Sequence, residues 1–102
     1  MKEVLLSADN SAKLCRVPDQ VAERLEEVAW LFAGEWLWQS PDAGRFHQMR
    51  DGIDTVVYDE RDFLWWLGAV YAPEEPPELV RDLGVWADEL GEAYAALPRC
   101  NF

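Results

Sequence analysis

Hydrophobic and polar positions along this chain change period three times, and each change marks an element. Lys2 to Leu6 is β-capable, Ala8-Asp9-Asn10-Ser11 is turn chemistry, and Lys13 to Val17 alternates basic with apolar side chains, so residues 1–17 predict a hairpin. From Pro18 the period lengthens. Val21, Leu25, Val28, Ala29, Phe32 and Trp36 recur at spacings of three and four, predicting one helix to about Trp38 with that stripe toward the core. Pro18 and Asp19 suit its first turn. At about 100° per residue, Trp30 falls nearly opposite the stripe, beside Glu23, Glu26 and Glu27, with Leu31 and Trp38 on a flank. Ser40-Pro41-Asp42-Ala43-Gly44 ends the element with turn residues.

Arg45 to Gly52 is weakly patterned and is expected as a loop or short irregular strand, whereas β-branched and aromatic residues make Asp54 to Tyr58 the clearest strand. Asp59 is an expected N-cap for a second helix to about Tyr71, with Glu60 and Asp62 in its first turn and Phe63, Trp66, Leu67 and Val70 turned inward. Trp65 points the other way. Pro73-Glu74-Glu75-Pro76-Pro77 is an extended acidic connector. Leu79, Leu83, Trp86, Leu90, Tyr94 and Leu97 then predict a third helix, weakened by Gly84 and Gly91 at about 1 kcal/mol each. Asp88, Glu89 and Glu92 lie off its stripe, and Phe102 is expected to pack back on the body. The order β-β-α-β-α-α predicts an α+β fold, a three-stranded antiparallel sheet with three helices on one face.

Length and charge sharpen this picture. A chain of 102 residues makes one domain, able to bury about two thirds of its unfolded surface. A hydrophobic fraction of 50% and an aromatic fraction of 13% are too high for a disordered acidic segment, so the formal net charge of -11 decorates a folded body. Residues 1–17 are the one net-positive stretch; the acid concentrates on the predicted helices. The apolar run Val4-Leu5-Leu6 is too short for a signal peptide or a membrane span, and a cytoplasmic location is expected. Cys15 and Cys100 have neither metal-ligand spacing nor a disulfide-rich context, which makes Cys15 an expected buried free thiol.

Catalytic chemistry finds little support. The single histidine, His47, has no nucleophile at a fixed offset and is expected to be solvated; no glycine-rich phosphate loop, nucleophile elbow or CxxC pair is present. The carboxylate groups Glu23, Glu26, Glu27 and Asp88, Glu89, Glu92 point outward, whereas acid/base and metal sites need them inward from facing helices. The expectation is a chain that is not an enzyme and holds no metal or cofactor.

Binding is the remaining class. Carboxylates three or four apart on a helix stand about 5–6 Å from one another, comparable in scale to the phosphate repeat of a nucleic-acid strand. Glu23, Glu26, Glu27, Asp88, Glu89 and Glu92 would then supply the charge, and Trp30 and Trp65 the apolar anchors. This predicts an inhibitor that occupies the nucleic-acid site of a basic protein, by the general physics of anti-restriction and anti-CRISPR proteins; the same charge disfavours direct contact with nucleic acid. Three other readings compete: an immunity protein or antitoxin neutralising a basic toxin, a hydrolase with inward carboxylates, and a self-associating domain whose homodimer face is Trp30, Leu31 and Trp38. The bland reading has Trp30 covered by the N-terminal hairpin or the C-terminal tail, and Trp65 by the Arg45–Gly52 loop.

Overall fold

The computed structural model describes residues 1–102. The predicted N-terminal hairpin is present as β1 (Lys2–Ser7) and β2 (Lys13–Val17), antiparallel with Val4 opposite Cys15 and Leu5 opposite Leu14. Period-two alternation splits their side chains cleanly: Val4, Leu6, Cys15 and Val17 enter the main core, while Leu5 and Leu14 are buried on the opposite face.

A helical run follows, in pieces. The first, α1 (Asp19–Glu23), is separated from α2 (Leu25–Trp30) by Arg24, whose φ of -132° and ψ of 41° leave the helical region. Leu31–Trp36 then widens into a π-helix before the short α3 (Leu37–Gln39). The predicted stripe of Val21, Leu25, Val28, Ala29 and Phe32 is buried. A wider turn delays the next inward position, so Leu37 is fully buried where a regular helix would have placed Trp36.

The weakly patterned segment forms more structure than expected. Pro41–Phe46 is a 3₁₀ turn, and β3 (His47–Arg50) pairs with β4 (Ile53–Val56) as a separate two-stranded sheet. Asp51 and Gly52 connect them with φ of 52° and 77°. Two consecutive positive-φ residues match the twist of a tight hairpin, and Asp-Gly is a strong short-range signal for it. Asp59 caps α4 (Glu60–Trp66) as predicted, in a reciprocal capping box with Asp62. Leu67–Tyr71 is again π-helical, and the delayed phase leaves Val70 exposed, against expectation, while Ala72 is buried.

The third helix does not form. In its place stand β5 (Glu78–Asp82), 3₁₀ turns at Ala87–Glu89 and Glu92–Tyr94, and β6 (Arg99–Asn101). Pro76 and Pro77 deliver the chain extended, Leu79 and Arg81 pair with Cys15 and Leu14 of β2, and Gly84 turns at a φ of 75°. The principal sheet therefore has four strands in the order β5-β2-β1-β6, with β6 parallel to β1. The fold is α+β, but its sheet is mixed, and a second small sheet accompanies it.

That topology creates three layers. The helices pack on one face of the sheet around Phe32, whose ring meets those of Trp36, Phe46, Tyr58, Phe63, Trp66 and Phe102 at 5.4 to 6.5 Å. The connection from β5 to β6 covers the other face: Trp86 and Ala87 border a groove with Leu5, and the Tyr94 hydroxyl accepts from Arg81 at 2.9 Å. The apolar positions from Leu79 to Leu97 are thus divided between β5, which pairs in the sheet, and an irregular segment whose Trp86 and Ala87 stand beside Leu5.

Candidate protein-binding face

Trp30 is 63% exposed, the outward placement its helical phase predicts, and neither the hairpin nor the tail covers it. Its indole lies across Gly34: a Cβ there would stand 2.6 Å from three indole carbons, so only glycine lets the ring adopt this position. Beside the indole runs a groove of about 370 Å³ whose walls include Glu26, Tyr58, Cys100 and Phe102. The arrangement joins an exposed aromatic plate, a largely apolar groove and a carboxylate.

The three predicted glutamates of this face are not equivalent. Glu23 is paired with Lys2 at 3.0 Å and Glu27 with Arg24 at 3.3 Å, whereas Glu26 has no cationic partner. Both pairs are solvent-exposed and worth little to the fold. The Glu23 carboxylate holds the Lys2 ammonium above its ordinary pKa. Burial, and then the Glu26 charge, raise the Cys100 thiol, so it stays protonated at neutral pH.

Trp65 stands elsewhere. It is 42% exposed; its ring is 5.9 Å from Trp36 and 6.2 Å from Phe46, and the Arg45 guanidinium lies 4.4 Å above it, so Arg45 and Phe46 cover it in part. Trp30 and Trp65 border no common groove. Asp88, Glu89 and Glu92 are exposed as expected, but on the two 3₁₀ turns instead of one helix face. Asp88 borders the groove of Trp86, together with Asp9 and Asn101.

Two polar arrangements escaped the sequence reading. Lys13 and Glu60 are both buried and meet at 2.9 Å, with Lys13 also donating to the Ser11 carbonyl at 2.8 Å and Asn10 donating to Glu60 at 3.3 Å. Their sequence positions, in a basic-apolar strand and in an acidic first turn, resemble those of solvated charges. His47 is partly exposed, yet both ring nitrogens have partners: Nδ1 lies 2.9 Å from Asp54, and Nε2 lies 2.6 Å from the Leu37 carbonyl. Both partners accept only, so both ring nitrogens donate and the imidazolium is favoured. The Asp54 hydrogen bond first, and then the Leu37 carbonyl, raise the His47 pKa above its ordinary value.

The cysteines are free, as expected of Cys15. They lie on β2 and β6, either side of β1, and burial pushes the Cys15 thiol up to about 12. No three His, Cys, Asp or Glu side chains converge to hold a metal ion, and no helix is long and apolar enough to cross a membrane. Comparison with protein-family models, curated proteins and solved structures returns no match for this chain.

Proposed function

We propose that this protein binds a basic, nucleic-acid-handling protein at the surface where that partner holds DNA or RNA, and thereby inhibits it. The observation that carries the reading is the exposed Trp30 plate bordering one groove with the unpaired Glu26, which also borders a second groove with Glu23 and Glu27. An exposed tryptophan held against its own backbone loses little entropy on binding and suits the apolar centre of an interface. Surrounding carboxylates favour a cationic counterpart, and the net charge of -11 would accelerate the encounter. The chain acts by occupation and carries out no reaction.

The test is capture from lysate on the immobilised full chain at low and high salt. The expected catch is a basic protein released by salt and displaced by added DNA or RNA. A catch indifferent to both, or no catch and a dimer on a sizing column, rejects the reading.

A further inference from the structure

β6 is the last strand of the principal sheet, and its outer edge is unpaired. Leu5 N–H donates to the Pro98 carbonyl at 2.9 Å, and Phe102 N–H donates to the Ser7 carbonyl at 2.8 Å. Backbone direction alternates along a strand, so the even-numbered residues face β1. Arg99 and Asn101 therefore turn N–H and C=O away from β1, to the side where no strand pairs.

A groove lies along each side of this edge. On the helix side, Cys100 and Phe102 border the apolar groove beneath Trp30. On the outer side, Arg99 borders the groove of about 280 Å³ that holds Trp86, Asp9 and Asp88, and Cys100 and Asn101 reach both grooves. Trp86 is 50% exposed. The Asn101 amide joins Ser7 and Asp9 across its floor, and Arg99 turns its guanidinium to the Tyr94 carbonyl at 3.1 Å. Asp88 has no ionic partner. The opposite sheet edge, β5, lines none of the grooves.

We infer that the β6 edge accepts an extended segment of the partner protein as a fifth strand, with basic and apolar side chains alternating along it. The inference rests on the proposed binding function and specifies the form of its ligand. An added strand sends successive side chains to opposite faces. Its cationic side chains enter the outer groove, against Asp9 and Asp88 and over the face of Trp86. Its apolar side chains enter the Trp30 groove. Charge complementarity selects a basic segment over a second copy of this acidic chain.

The probe is a short dye-labelled peptide of alternating lysine and valine, titrated onto the full chain by fluorescence polarisation at low salt. Two further versions carry N-methyl groups on all lysine amides or on all valine amides. Pairing at one edge uses the amides of alternate residues, so one methylated version is expected to bind about tenfold or more weaker than the other. The Arg99 and Asn101 amides are expected to exchange at least about tenfold more slowly in the complex. Equal tolerance of both methylated peptides, unprotected Arg99 and Asn101 amides, or absence of binding overturns edge pairing. Lysate capture that stays sensitive to salt and to Trp30→Ala would then leave the proposed function standing, whereas loss of both would reject the two together.

Discussion

Lys13 and Glu60 form an ion pair at 2.9 Å with both side chains almost fully withdrawn from water. The pair ties the N-terminal hairpin to the first turn of α4, and Asn10 and Ser11 satisfy its remaining hydrogen-bonding groups. Removing one partner strands the other charge in the interior. Lys13→Met or Glu60→Gln is expected to cost about 3–5 kcal/mol, and the double replacement Lys13→Met with Glu60→Leu less than the sum. Urea denaturation of the three variants checks this; single variants as stable as the parent would contradict a buried charge pair.

His47 fastens the β3–β4 hairpin to the end of the first helical run by donating to the Leu37 carbonyl, while Asp54 on β4 holds its other ring nitrogen within the hairpin. Its folded pKa is raised, so its stabilising contribution is complete below the unfolded value of about 6.5 and is lost as pH rises through the folded pKa. Melting temperature is expected to fall across that upper window in the parent, and the fall should be missing from His47→Gln. Parallel profiles for the two proteins would refute the clamp.

Gly34 allows the Trp30 indole to lie flat on the helix. Gly34→Ala sets a methyl 2.6 Å from the ring and must displace it. The expected outcome is a shifted tryptophan emission and weakened partner capture with little change in far-ultraviolet circular dichroism. Unchanged emission and capture would mean that the ring position is unimportant.

Asp59 caps α4 through the Arg61 and Asp62 amides at 2.9 and 3.2 Å. Asp59→Ala is expected to lower stability by about 1 kcal/mol, and Asp59→Asn by less. Equilibrium unfolding distinguishes these from a neutral surface change.

The residues most legible in sequence were those whose local pattern and tertiary role agreed. The stripe from Val21 to Phe32, the outward Trp30 and the Asp59 cap follow from helical phase and end chemistry alone. The stripe from Leu79 to Leu97 had equally regular spacing, yet two prolines upstream and strand pairing with β2 overrode it. Spacing cannot register a neighbour that is distant in sequence. Asp51-Gly52 did carry a hairpin signal, but the polar flanks of β3 hid the strand. Helical spacing puts Trp86 in a buried stripe, whereas the irregular segment leaves it half-exposed and opens the second groove. Lys13 and Glu60 have the spacing of surface charges, and their burial arises only from the meeting of two elements.

The central claim is that the Trp30 face binds a basic partner. The most direct test compares salt-releasable capture by the parent, Trp30→Ala and Glu26→Lys, after thermal melts establish that all three are folded. Trp30 is exposed and Glu26 has no ionic partner, so both substitutions should leave the melt nearly unchanged. The account predicts that each weakens capture by about tenfold or more, and that reversing Glu23, Glu26 and Glu27 together abolishes it. Equal capture by the parent and both single variants would contradict it.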